Sequence, residues 1–208
     1  MNTLVIASTI SEIQPLLETK PQVDWLITGI GIHHTIFKLV QKLNTHKYDR
    51  LFQVGIAGTY DDSIELGEAL IVESDCFADL GVWENKTWNS IIEMGWQNPN
   101  EFPFEQGKLI NPHVNALTYK KRSGATVQRL TDDLDETNQM RLHHKASVET
   151  MEGAAFHYVA LQLGIPFCQI RGISNYVGER NKTKWKIKEA IESSCTLFQE
   201  VDKTFSIL

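Results

Sequence analysis

GAAFHYVALQLGIPFCQIRGI, residues Gly153 to Ile173, is the stretch whose reading decides the fold. Its first half spaces Ala155, Phe156, Val159, Ala160 and Leu163 along one helical face and stops at Gly164-Ile165-Pro166, where glycine favours a left-handed cap and proline cannot continue the helix. Its second half, Phe167 to Ile173, is a short, largely apolar run of strand length. A helix turned tightly into a buried strand is the building unit of an α/β sheet.

The same alternation continues outward. Leu4 to Ala7, Trp25 to Thr28, Leu51 to Ala57 and Ala69 to Glu73 are further apolar runs rich in branched residues, each bounded by Gly, Pro, Asp or Ser, and read as buried strands. Thr35 to Leu43 puts Ile36, Leu39, Val40 and Leu43 on one helical face. Trp185 to Phe205 reads as a long closing helix with Ile187, Ala190, Ile191, Leu197, Phe198 and Val201 inside. The expected architecture is a three-layer α/β domain spanning 1–208, with a mostly parallel or mixed twisted sheet between helices. Asp79 to Pro112, aromatic, polar and proline-bearing, reads as a functional loop or an oligomer contact.

Composition bounds the function. The 208 residues are 42% hydrophobic and 22% charged, with 20 Lys+Arg against 26 Asp+Glu and a net charge of −6. This excludes a disordered or collagen-like chain and argues against nucleic-acid or anionic-membrane partners, which need a basic patch. Nothing resembles a signal peptide or a bilayer-spanning run, so a cytoplasmic location is expected. Cys76, Cys168 and Cys195 are widely spaced and read as reduced, buried small hydrophobes. His33-His34 and His143-His144 are adjacent pairs that cannot share one face, so no metal or other cofactor is expected.

In an open parallel sheet, ligands bind where strands run into their following loops. Those segments are Ser8 to Glu12, Gly29 to His33, Gly55 to Tyr60, Thr126 to Thr131, Thr150 to Gly153 and Ser174 to Arg180. Three carry short glycine signatures, Gly29-Ile30-Gly31, Gly55-Ile56-Ala57-Gly58 and Ser123-Gly124-Ala125-Thr126, which read as tight turns where backbone could approach a ligand. None has the spacing of a dinucleotide or Walker phosphate loop. The first arginine in the chain is Arg50, and the first three of these segments contain no Arg or Lys.

Val148-Glu149-Thr150-Met151-Glu152-Gly153-Ala154-Ala155-Phe156, followed by Arg171-Gly172-Ile173-Ser174-Asn175, resembles the nucleoside phosphorylase/nucleosidase superfamily. Within it, Ser174-Asn175-Tyr176-Val177-Gly178-Glu179-Arg180-Asn181 through Trp185, together with Ala78-Asp79-Leu80-Gly81-Val82, looks most like the futalosine hydrolases. The resemblance implies hydrolysis of an N-glycosidic bond, releasing hypoxanthine from futalosine on the route to menaquinone. It also leaves open an aminofutalosine or methylthioadenosine/adenosylhomocysteine nucleosidase, and a non-catalytic nucleoside binder on the same fold. A homodimer or larger assembly is expected from the same likeness.

The resemblance assigns roles residue by residue. Glu152 would accept both ribose hydroxyl protons, with Met151 stacked on the sugar; a first-turn acid favoured by the helix dipole is the plainer reading of Glu152. Glu12 would polarise the attacking water with help from Arg171, or simply close a capping box over Thr9-Ile10-Ser11-Glu12. Asn175, beside Ser174, stands where adenine-releasing relatives have an aspartic acid. An amide lends no proton but can donate to N7 or O6 of a 6-oxopurine and accept from its N1–H or from a bridging water. Thr126, Val127 and Gln128 would stack on the base, Ile56, Ala57 and Gly58 would bind the substrate, and Arg180 with Trp185 would hold the benzoate-bearing arm, with Phe77 or Trp83 lining its slot. A phosphorylase would need a cationic cradle, so water is the expected acceptor.

Overall fold

The computed structural model describes residues 1–19 and 22–205. In chain order the elements are β1 (Thr3–Ala7), α1 (Gln14–Thr19), β2 (Asp24–Ile27), α2 (Ile32–Thr45), β3 (Arg50–Thr59), β4 (Ala69–Asp75), β5 (Gly81–Glu84), β6 (Thr87–Ser90), β7 (Leu109–Ile110), β8 (Lys121–Thr126), α3 (Leu134–His144), β9 (Val148–Thr150), α4 (Gly153–Leu163), β10 (Phe167–Tyr176) and α5 (Ile187–Thr204). Eight strands form one sheet, and β5 with β6 forms a separate hairpin.

Alternation builds the layers. Val5, Ala7, Phe52 and Val54 point to one side, where Cys195, Phe198 and Val201 of α5 cover them. Leu4, Ile6 and Leu51 point to the other, against Leu39 and Leu43 of α2 and Phe156, Val159 and Ala160 of α4. A strand residue's neighbours face opposite ways, so strands buried on both faces read as continuous apolar runs.

The sheet is mixed and curled, not open. β3 pairs in parallel with β10, β10 antiparallel with β4, β4 in parallel with β8, β8 in parallel with β9, and β9 antiparallel with β3. These five strands close into a ring, with β1 and β2 continuing outward from β3. One edge of β3 is therefore shared: Arg50 to Gln53 pairs with β1, and Gly58 and Thr59 pair with β9. Between them lies an unpaired interval at the end of β1, and the candidate site forms around it.

Several expectations shift. The Gly55–Gly58 and Ser123–Thr126 signatures lie inside strands, not in turns. The last helix begins at Ile187, after a 3₁₀ turn over Lys182–Lys184; Ile187 faces a cleft instead of the core, and Ile191 packs on the core while also lining that cleft. Val40, beside the buried Leu39 and Leu43, and Leu163, at the end of its apolar stripe, are exposed. The Asp79–Pro112 stretch contains the β5–β6 hairpin, whose Asn85-Lys86 turn has positive φ at both residues, the twist that two-residue hairpins prefer.

Candidate active site

Glu12 follows β1 directly and sits on the short helical turn Ile10–Ile13. Its two carboxylate oxygens divide between the capping box and the neighbouring strand β3. Oε2 accepts from the Thr9 amide at 2.9 Å and the Thr9 hydroxyl at 3.0 Å, completing the capping box. Oε1 accepts from the Ile56 amide at 3.2 Å, in the unpaired interval of β3. Burial raises the Glu12 carboxyl above the usual carboxylate range, opposed by Arg171 and by the Ile56 and Thr9 amides. A carboxylate held this way is a stronger proton acceptor than a surface glutamate.

Gly55 explains how Glu12 and Arg171 reach the same place. A Cβ at position 55 would lie 2.6 Å from Glu12 Oε1 and 2.8 Å from Arg171 Nη1. Glycine leaves the strand bare so that both side chains can cross it.

Arg171 is 1% exposed and lies beneath the cleft floor. Its Nη2 donates to Gln53 Oε1 at 2.9 Å and lies 3.7 Å from Glu152 Oε2, and its Nη1 donates to the Ile56 carbonyl at 3.3 Å. Donor–acceptor matching orients the Gln169 amide so that its oxygen accepts from Arg171 Nε at 3.1 Å. The same amide's nitrogen donates to Asp75 Oδ2 at 3.2 Å and His157 Nε2 at 2.8 Å. Burial lowers the His157 imidazole to about 4 and raises the Asp75 carboxyl to about 7. A neutral His157 then donates from Nδ1 to the Leu109 carbonyl, 3.1 Å away. Every arm of the guanidinium is fixed, which makes Arg171 a rigid scaffold cation.

Glu152 is the N-cap residue of α4, but its side chain makes no capping bond. Oε1 accepts from the Gly31 amide at 3.0 Å, and Oε2 faces Arg171. Gly31 has φ +98°, a conformation that suits glycine and presents that amide. Asn175 sits next to a register shift in β10, opposite Gly58. The Ser174 hydroxyl lies 2.7 Å from Asn175 Oδ1 and donates there, which turns Nδ2 outward to the Tyr176 carbonyl at 3.0 Å. Nδ2 retains a second proton for a ligand.

These groups converge on a cleft of about 330 Å3. Glu12, Ile56, Ala57, Gly58, Met151, Glu152, Ser174, Asn175, Arg180 and Trp185 all line it. Thr126, Val127 and Gln128 do not. Thr126 is fully buried with its hydroxyl on Asp75 and Thr150, Val127 lines a neighbouring cavity, and Gln128 is exposed, its amide on Asp79. Phe77 packs edge-on against Phe104 and Tyr158, and Trp83 lies tilted against Trp88, and neither Phe77 nor Trp83 lines the cleft. Arg180 is exposed over the Trp185 ring, 5.7 Å from its centroid. Thr9, Thr131 and Val177, which fall in segments the sequence placed at strand ends, also line the cleft, and so does Glu149, which lay outside those segments and was signalled only as the acid inside the quoted Val148–Phe156 motif.

The arrangement can bind a ribose diol on Glu152, hold a polarised water on Glu12 and donate a hydrogen bond from Asn175 to a heterocycle between them. Known proteins with related chains fit that chemistry. The phosphorylase superfamily profile matches residues 20–205. A futalosine hydrolase from Thermus thermophilus is 31% identical over 172 residues, covering 81% of this chain and 76% of the relative. Among solved structures, the 5′-methylthioadenosine/S-adenosyl homocysteine nucleosidase of Helicobacter pylori superposes with a TM-score of 0.82 at 15% identity, covering 98% of each chain. The futalosine hydrolase of Helicobacter pylori strain 26695 does so with 0.79 at 15% identity, again over 98% of each chain. By sequence and by fold, this chain belongs to the phosphorylase superfamily.

Proposed function

We propose that this chain is a purine nucleoside hydrolase acting on futalosine, releasing hypoxanthine and leaving dehypoxanthine futalosine. The observation that carries this reading is the convergence of Glu12, Glu152 and Asn175, from three separate strand ends, on one cleft. Glu152 accepts hydrogen bonds from the ribose hydroxyls. Glu12 Oε1 takes a proton from water as the oxygen attacks C1′ of the oxocarbenium-like sugar. The C1′–N9 bond breaks, its electron pair passes to the purine, and Asn175 Nδ2 stabilises that charge at N7 or O6. The departing base then takes its proton from solvent, and Glu12 returns its own.

Water rather than phosphate is the acceptor. Among the described residues lining the cleft, Arg180 is the sole cation, against Glu12, Glu149, Glu152 and Glu179. Such a wall repels a dianion. Arg180 and the Trp185 indole, whose Nε1 donates to the Glu179 carbonyl at 2.9 Å, stand at the outer rim for a carboxylate-bearing aromatic arm. The decisive assay incubates the protein with futalosine, aminofutalosine, methylthioadenosine and inosine, with and without phosphate. Free hypoxanthine from futalosine at a phosphate-independent rate is expected; a strict phosphate requirement, or preference for methylthioadenosine, overturns the reading.

A further inference from the structure

The mechanism above uses Asn175 on one edge of the base and leaves the opposite edge unread. The sheet register places a second polar group there. Gly58 pairs with Asn175 on β10 and with Glu149 on β9. Paired residues on neighbouring strands project from the same face, so Asn175 and Glu149 stand on either side of a bare glycine. Their Cα atoms are separated by two strand spacings, roughly 10 Å, a gap that takes a fused bicyclic base with a hydrogen bond at each edge. A Cβ at Gly58 would meet Asn175 Nδ2 at 3.3 Å and Val177 Cγ2 at 3.0 Å, so the glycine keeps this floor open.

Glu149 is prepared to accept. The Tyr60 hydroxyl donates to Glu149 Oε2, and among the described residues Oε1 has no hydrogen-bond partner, although Glu149 lines the cleft. Burial, then the neighbouring Glu149, pushes the Tyr60 phenol far up, so it stays a donor. Burial also raises the Glu149 carboxyl, and the Tyr60 hydrogen bond opposes that shift by favouring the charged form.

We infer that Glu149 is a specificity-determining residue that accepts a hydrogen bond from N1–H of a 6-oxopurine, across Gly58 from Asn175. A 6-oxopurine carries a proton at N1, whereas a 6-aminopurine presents a lone pair there, which a carboxylate repels. A buried polar group left unpaired or opposed by its ligand discriminates strongly. The inference rests on the hydrolase reading for the identity of the base, but its test does not need turnover.

The test is equilibrium binding of hypoxanthine, 1-methylhypoxanthine and adenine to the whole protein and to its Glu149→Gln variant. The methyl group removes the N1 proton while leaving O6 and N7 in place. The unsubstituted protein is expected to bind hypoxanthine about 10-fold or more tightly than either other base, and Glu149→Gln to bring all three within about 3-fold. Equal affinity of the unsubstituted protein for hypoxanthine and 1-methylhypoxanthine overturns the inference, even if the variant fails to fold. So does no detectable hypoxanthine binding, or a folded variant that keeps the original ratios. Release of no base from any nucleoside would overturn the hydrolase reading instead, leaving the binding ratios to judge Glu149.

Discussion

The inner and outer walls of the cleft are built by opposite means. The inner wall is the sheet itself: Glu12, Arg171 and Glu152 are each buried and tied to residues remote in sequence, such as Gln53, Ile56 and Gly31. The outer wall is the Glu179–Trp185 segment, where Arg180 is exposed and the contacts are local, Lys184 to Glu179 and Trp185 to Glu179. Long-range buried bonds hold donors and acceptors within the narrow tolerances that bond cleavage needs. Local surface contacts cost little to rearrange, so the outer wall can change which arm is accepted while the chemistry stays fixed.

That contrast breaks first at Glu12. Glu12→Gln keeps the shape and the cap but loses the base, and steady-state assays should show kcat down by about 10³-fold. In the unsubstituted protein, kcat/KM should fall on the acid side through a value above the ordinary glutamate range, because burial raises this carboxyl and only its charged form accepts the proton. A profile flat into the ordinary carboxylate range would remove Glu12 from the reaction. Gly55→Ala is next. Its methyl would intrude on both Glu12 and Arg171, and we expect a loss of roughly 10²-fold in kcat/KM, with KM for the arm nearly unchanged.

Asn175→Asp should sharpen the picture at the base, shifting relative kcat/KM by about 10-fold toward 6-amino substrates; an unchanged ratio would disprove its role. Arg180→Ala should have the smallest effect, raising KM for a carboxylate-bearing nucleoside by about 3-fold and more than for inosine, with the difference fading at high salt. A large kcat effect at Arg180 would erase the distinction between the walls.

Much of the inner wall was legible because it obeys local rules. The apolar runs named β1, β3 and β10, and the stop at Gly164-Ile165-Pro166 ended α4 where expected. The polar elements were harder. β8 is Lys-Arg-Ser-Gly-Ala-Thr, with no apolar alternation, and forms because β4 and β9 offer it hydrogen bonds on both edges. α3 has no apolar stripe; its only signals were the Asp133 cap, accepting from the Asp135 and Glu136 amides, and the basic residues of its last turn. Thr126, Val127 and Gln128 fall outside the cleft lining, because a short glycine motif does not specify which way its strand faces. Glu149 was overlooked because its partner across Gly58 exists only once β9 and β10 flank the same strand.

The closed ring of strands also sets a timetable for making the molecule. Arg171 and Ile56 are 115 positions apart, so β3 meets its longest partner only when β10 has been synthesised. Until then a nascent chain carries β3 and β4 with edges that have no neighbour, the condition in which strands associate between chains. Such late, nonlocal closure slows folding, and it means that no fragment lacking β10 can present Glu12, Glu152 and Asn175 together.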